Sequence, residues 1–493
     1  MIEKFPKKLR PYTDKEIPEA MQRIAAHPYF PAIAQLIFPD ISSEEAIRRL
    51  LSLHSIEEFQ LQWMYNFNRR VIETTMDTFT YHVSPHIQPG KGYLYVSNHR
   101  DIILDSSLLQ MVFVESRLPT SMITYGDNLI INQLARDLAR SNKMFKVVRQ
   151  GNKRELFKNS IVLSDFIRTC IAEGHSCWIA QRNGRTKDGL DQTSQALVKM
   201  LAMSGSRKDP LANYAELNIV PVSISYEYEP CDFLKTRELL MGRLAAAAAA
   251  TAAPATGGTA AAAGAAGGTC AGAGAGAAVV AAGVGAAGGT AAGAAAGAAY
   301  VKQEGEDLLS IATGITQWKG NVHIHIGDPI TKEELEGFYE EAQSGGANNE
   351  DFNAFAAHVC TLIDKAIAKG YKIFPTSHIA YDLLHGAGAS AALLGSAAGS
   401  VTGFAAGSAA GSASVYTPEQ KAEFMKRLEV LESGNIPLIP ETELAASIPF
   451  DEDFPGGKTE GLLKKQAELI QKHHDIVREL FLGIYANPLI QQK

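Results

Sequence analysis

Short apolar runs alternate with helical periodicity from residue 92 onward, and this alternation narrows the fold more than any other feature of the chain. Tyr93–Ser97, Met122–Thr124, Phe145–Val148, Cys177–Ala180, Ile219–Ser225 and Val322–Ile326 have the length and apolarity of buried strands. Helical patterns fill the gaps near 128–142, 153–173 and 190–204. Strands that are apolar on both faces and joined through helices build a mostly parallel sheet. The expected fold class is therefore α/β: a mostly parallel sheet with helices on both faces, and helical N- and C-terminal extensions. Ligands of such sheets sit beyond the carboxyl ends of the strands. Asn98–His99, Arg149 and Arg182–Arg185 all fall just past those ends.

Two stretches cannot contribute an ordinary core. Residues 245–300 and 386–413 are almost wholly Ala, Gly, Ser and Thr, and such side chains bury too little area to offset the entropy of ordering. They also inflate the hydrophobic fraction, which stands at 46%. About 400 of the 493 residues remain, enough for one large α/β domain with helical ends. The expected division is a helical N-terminal region at 1–85 and an α/β domain at 86–385, interrupted by the 245–300 segment. A low-complexity linker at 386–415 and a helical C-terminal region at 416–493 complete it. Within 15–80, Ile33, Leu36, Ile37, Trp63, Met64, Phe67 and Val71 follow helical spacing. The aromatic run at 63–67 has the makeup of a membrane-interface patch, but a packed helix face is the simpler expectation.

The net charge of −7 argues against a general nucleic-acid binder. Charge is unevenly spread, however. Between Arg136 and Lys208 there are 15 Lys or Arg against 6 Asp or Glu, and a basic region within an acidic chain points to an anionic ligand. The five cysteines, Cys170, Cys177, Cys231, Cys270 and Cys360, contain no CxxC pair, which suits reduced thiols. The opening segment MIEKFPKKLRPY is polar, without the apolar core of a signal peptide, and no run of 18 strongly apolar residues occurs. The expected location is cytoplasmic, with peripheral contact at the inner face of a membrane.

Four blocks carry chemistry. In Ser97-Asn98-His99-Arg100-Asp101-Ile102-Ile103-Leu104-Asp105, a His ends a strand and carboxylates follow two and six residues later. A hydroxyl becomes a useful nucleophile near neutral pH only with a base in hydrogen-bond reach, and a carboxylate fixes that base's tautomer. The second block, Arg182-Asn183-Gly184-Arg185-Thr186-Lys187-Asp188-Gly189, is a cationic glycine turn able to receive phosphate. In the third, the strand Phe145–Val148 runs into Arg149, Lys153 and Arg154. The fourth, Ile219-Val220-Pro221-Val222-Ser223, holds a proline inside a strand, which by itself suggests an edge or a bulge. Read singly, each block also fits a structural hydrogen bond or a solvated loop. His323 and His325 share a strand face without a third metal ligand, and a kinase-like reading of His99-Arg100-Asp101 fails for want of the following Asn and the glycine-rich loop.

The order and spacing of the four blocks together resemble the glycerolipid acyltransferase superfamily, the glycerol-3-phosphate and 1-acylglycerol-3-phosphate acyltransferases, over about residues 90–235. The block around His99 looks like a bacterial branch of that superfamily. The resemblance implies acyl transfer from a thioester of coenzyme A or acyl carrier protein to a glycerol-phosphate-type acceptor in phospholipid biosynthesis, with no cofactor and no metal. It makes His99 the base and an Asp its orienting partner. It places Arg149, Arg182, Asn183, Gly184, Arg185 and Lys187 at the substrate, with the proline strand bordering the acyl pocket. Two departures stand out. The family pattern is His-x4-Asp, whereas here that position is Leu104. Asp105, reaching back through a widened turn and capping the helix it opens, is preferred to Asp101. Asn183 stands where the family has Glu, and Arg185 comes one place early. These departures leave room for a catalytically impaired lipid-phosphate binding protein, or for an acyl-thioester hydrolase using the same His.

Overall fold

The computed structural model describes residues 2–130, 132–149, 151–206, 208–252, 306–345, 351–397, 415–434, 436 and 467–492. Most of the 245–300 segment and much of 386–413 lie outside the described residues. Within the described parts, the helix Asp232–Ala252 runs into the first stretch, and the helix Ala389–Ala397 lies in the second.

Seven strands form the sheet: β1 (Thr78–Val83), β2 (Leu94–Ser97), β3 (Met122–Gly126), β4 (Met144–Val147), β5 (Cys177–Ala180), β6 (Ile219–Tyr226) and β7 (Asn321–Ile326). Their order is β1-β7-β6-β2-β5-β3-β4. Every pairing is parallel except β6 with β7. The central strands β2 and β6 are buried along their whole length, as continuous apolar runs covered on both faces must be. One face packs on the helices Lys153–Ala172, Gln195–Leu201 and Phe352–Gly370, through Leu94, Val96, Phe166, Ile167, Val359 and Ile363. Leu104–Glu115 covers the other face, joining Leu108 and Val112 to Tyr95, Ile224 and Ile324. The fold is thus the expected α/β architecture, with helices on both faces and helical extensions.

Two expectations are corrected. The helical reading of residues 1–85 ends at Thr75, because Thr78–Val83 is an edge strand paired with β7. Its exposed residues Thr80, Tyr81 and His82 break the apolar run that marks a buried strand. Pro221 lies in an interior strand, not at an edge or bulge. Its missing N–H falls on the side where β7 has already ended: pairing with β7 begins at Val222↔Ile326, and Gly327 N–H donates to the Pro221 carbonyl at 3.0 Å.

The N-terminal helices enclose their own core, in which Trp63 is buried against Phe30 and Phe38 at ring separations of 5.5 and 5.2 Å. The aromatic run is anchored inside the protein at that residue. The C-terminal helices Pro375–His385, Pro418–Ser433 and His474–Gln491 form another apolar cluster around Phe424, Phe481 and Tyr485. Among the described residues, no helix is long and apolar enough to cross a membrane.

His474–Gln491 reaches back to the glycine turn. Gln491 makes two hydrogen bonds with the backbone of Asp191, accepting its N–H at 2.8 Å and donating to its carbonyl at 2.7 Å. Asn487 donates to the Asp188 carbonyl at 2.6 Å. Gly189, at φ +79°, passes so close that a Cβ there would lie 2.3 Å from the Ile484 carbonyl oxygen. Gly189→Ala is therefore expected to cost about 1–2 kcal/mol from backbone strain alone, and more from the clash. Calorimetry should show a lowered unfolding temperature, and hydrogen exchange should show early loss of protection in His474–Gln491.

Candidate active site

β2 ends at Ser97, and the chain turns through Asn98 and His99 into the helix beginning at Leu104. The Asn98 side chain continues the sheet where the β2 backbone leaves it. Its Oδ1 accepts from Ile224 N–H at 2.8 Å and its Nδ2 donates to the Ile224 carbonyl at 3.0 Å. His99 stands on this anchored turn, its side chain 14% exposed. His99 Nδ1 lies 2.9 Å from Asp105 Oδ2. The same carboxylate oxygen accepts the backbone N–H groups of Arg100 at 2.6 Å and Asp101 at 2.9 Å. The extra residue relative to a His-x4-Asp pattern is absorbed by this turn, which folds around the carboxylate.

Asp101 sits differently. Its Oδ1 accepts from Ile103 N–H at 2.9 Å and Leu104 N–H at 2.8 Å, the contacts of a side chain capping the helix start. Its Oδ2 is buried without a hydrogen-bond partner, and a Cβ on Gly314 would lie 2.1 Å from it. Burial, joined by repulsion from Asp105, holds the Asp101 pKa above the ordinary carboxylate value. Asp105, and not Asp101, is the carboxylate hydrogen-bonded to the imidazole.

β5 lies beside β2, so the glycine turn that follows it falls next to His99. Gln181 N–H donates to the Ser97 carbonyl and Thr186 N–H to the His99 carbonyl, both at 2.7 Å. Gly184 takes φ +77° at the apex, while the Arg182 side chain is half-buried and that of Asn183 is exposed. Arg185 points inward. Its Nη2 donates to Ser310 Oγ at 3.0 Å on the helix Glu306–Thr316, and its Nη1 is buried without a hydrogen-bond partner. Burial works against this guanidinium's charge, but Cys231, Glu238 and Asp101 more than offset it and hold its pKa above the ordinary value. Lys187 pairs with Glu238, which also lies 4.0 Å from Arg185. The carboxylate beside these cations thus comes from the Asp232–Ala252 helix and not from position 183.

Arg149 follows edge strand β4, three places from β2 in the sheet and so roughly 14 Å across it at ordinary strand spacing. Its N–H donates to Asp127 at 3.2 Å. Burial pulls its pKa down against the opposing charges of Asp127 and Asp307. Asp307 lies on the helix that Arg185 also reaches, so both arginines approach Glu306–Thr316 from the sheet.

Several residues of this region escaped sequence reasoning. Arg100 is wholly buried, donating to Asp191 at 2.6 Å and lying 3.4 Å from Glu229, with its guanidinium carbon 5.2 Å from the Tyr371 ring centroid. Lys235 pairs with Glu229 and donates to the Arg100 carbonyl at 2.7 Å. Tyr226 donates to Asp105 Oδ1 at 3.0 Å. Arg100 stands in the sequence only as part of the His99 block, and Tyr226 falls one residue past the expected strand Ile219–Ser225, which the structure extends to include it. The carboxylates that meet them are remote in sequence. A cavity of about 360 Å³ is lined by Asp191 and Tyr371, both neighbours of Arg100, and by Asp364, Pro488 and Gln491 among others. Among the described residues, no group of three or more His, Cys, Asp or Glu is placed to hold a metal ion. His325 stacks on His82 at 4.7 Å, and His323 Nδ1 lies 2.9 Å from Thr80 Oγ1.

Residues 78–225 match the model of the Acyltransferase family. No curated protein matches the chain. Among solved structures, the crystal structure of the 1-acyl-sn-glycerophosphate (LPA) acyltransferase PlsC from Thermotoga maritima is similar over 71% of this chain and 95% of its own. The identity is 12% and the TM-score 0.27. So loose a superposition says nothing of this chain's substrates. The family match runs from β1 to the penultimate residue of β6 and takes in His99, Asp105, Arg149 and the glycine turn. Residues 78–225 are thus similar to the Acyltransferase family, and they lie within a larger α/β fold.

Proposed function

We propose that the chain transfers a fatty acyl group from a thioester, of coenzyme A or acyl carrier protein, to the hydroxyl of a glycerol-phosphate-type acceptor, with His99 as general base. One observation carries this reading: the 2.9 Å contact of His99 with Asp105, at the carboxyl end of a central parallel strand inside the acyltransferase-family segment. With Nδ1–H donated to Asp105, the lone pair of Nε2 is left for the acceptor hydroxyl. The hydroxyl oxygen attacks the thioester carbonyl carbon as Nε2 takes its proton. When the C–S bond breaks, the imidazolium returns that proton to the leaving sulfur, and the products are an ester and a thiol.

The acceptor's phosphate belongs with the cations of the glycine turn. Arg185 supports this with a buried donor, Nη1, that makes no hydrogen bond to a protein oxygen or nitrogen, because such a group costs free energy unless a ligand or water satisfies it. Lys187 and Arg182 flank it, and Arg149 adds positive charge from β4. Contact with the membrane that holds a lipid product is part of this proposal.

The test is an assay of the purified protein with labelled acyl thioesters and either glycerol-3-phosphate or its 1-acyl form. Transfer supports the proposal, while hydrolysis alone or binding without turnover replaces it with a thioesterase or a lipid-phosphate binder. His99→Ala is expected to lose roughly two to four orders of magnitude in rate, with an unchanged circular dichroism spectrum. Near-normal turnover would remove His99 from the mechanism. Asp105→Asn should lose more activity than Asp101→Asn, whereas Asp101→Ala should cost about 1 kcal/mol of stability as a lost cap, measured by denaturant titration. Arg185→Ala should raise the acceptor KM more than the donor KM; the opposite split would assign Arg185 to the donor's phosphates.

A further inference from the structure

We propose that Tyr226 is a positioning residue for the acid–base pair, its hydroxyl holding Asp105 and thereby setting the basicity of His99. This rests on the reading of His99 as base given above. The geometry that supports it is specific to one carboxylate oxygen. Asp105 Oδ2 takes the imidazole and the two backbone N–H groups, while Oδ1 takes the Tyr226 hydroxyl at 3.0 Å. The Asp105 side chain is fully buried, so a donor lost from Oδ1 could not be replaced from bulk water.

The sheet explains how a strand residue reaches that position. The pairing of β6 with β2 ends at Ser97↔Val222. Tyr226 lies four residues farther along, level with the turn of Arg100 and Asp101, and there β6 is carried by β7 through Tyr226↔Val322. Its ring belongs to the apolar cluster of Leu104, Leu108, Ile224 and Val322 and is 3% exposed. Burial, reinforced by the charge of Asp105, keeps the phenol pKa well above its ordinary value, so the hydroxyl stays a donor across the working pH range.

A donated hydrogen bond disperses the charge of Asp105 and weakens its hold on a protonated imidazole. Without it the carboxylate favours imidazolium more strongly, so the pKa of His99 rises. The other charged or titratable groups in reach are Asp101 and Arg100 on the turn, Glu229 beyond β6, Arg185 on the glycine turn, Lys319 before β7, and Tyr371. Burial pulls Lys319 down to about 7, and its Nζ donates to Thr75 Oγ1 at 2.9 Å. All of these are common to a Tyr226 variant and its parent, so the difference between the two isolates the hydroxyl.

The experiment is an NMR titration of the His99 imidazole in the full-length chain, assigned with His99→Ala, comparing the parent with Tyr226→Phe. The expected result is a pKa raised by roughly half a unit or more, opposite in direction to the fall expected for Asp105→Asn. The acid limb of the kcat/KM profile should move up with it. An unchanged or lowered His99 pKa overturns the proposal and makes the contact structural only. The titration needs no turnover, so a raised pKa in a protein inactive on every acceptor would uphold the Tyr226 assignment while sinking the acyltransferase reading. If the Phe variant does not fold, 3-fluorotyrosine at position 226, a stronger donor of nearly the same shape, should lower the His99 pKa; no change there would equally overturn the proposal.

Discussion

A guanidinium with no access to water must be neutralised by the fold, and Arg100 is such a group, one residue from His99. Asp191 and Glu229 supply the opposing charge, and each is held in turn by other parts of the chain. Asp191 also accepts from Asn98 at 3.0 Å and from Thr186 at 2.7 Å, while Glu229 accepts from Lys235. The need to satisfy one buried cation thus draws the end of β2, the glycine turn and the segment after β6 to one place. The stability cost of removing one partner from such a set is high, because the charge left behind has nowhere to go.

That arrangement separates scaffold from chemistry within a single motif. Of the consecutive residues Asn98, His99, Arg100 and Asp101, three are fully buried, and most of their polar atoms go to backbone, the helix start or ion pairs. Only the His99 side chain is partly open. The neighbours of His99 are committed elsewhere, so the imidazole stands on a turn braced on both sides.

The parts of the fold that were legible are those where burial on both faces imposes an unbroken apolar run, β2 and β6 above all. β1 escaped because one edge of it faces solvent, and Pro221 misled because a missing N–H matters only on the side where a neighbour still runs. At the candidate site, the strand ends located His99 and the glycine turn. Two carboxylates near one His were visible, but only the backbone path of the turn distinguishes their roles. Glu238 and Tyr226 were invisible for a different reason. Each is one polar residue in an otherwise ordinary helix or strand, and its significance arises from contacts spanning tens to over a hundred residues.

The amide bridge between Gln491 and the backbone of Asp191 joins positions 300 residues apart. A chain made from its N-terminus exposes β2, the glycine turn and their basic residues long before that bridge can close. Until then the loop carrying Arg185 has its sheet anchor but not its outer clamp, and Gly189 has no helix against it. Completion of the candidate site is therefore a late event in synthesis, which separates the time at which the α/β core can form from the time at which the protein can begin to work.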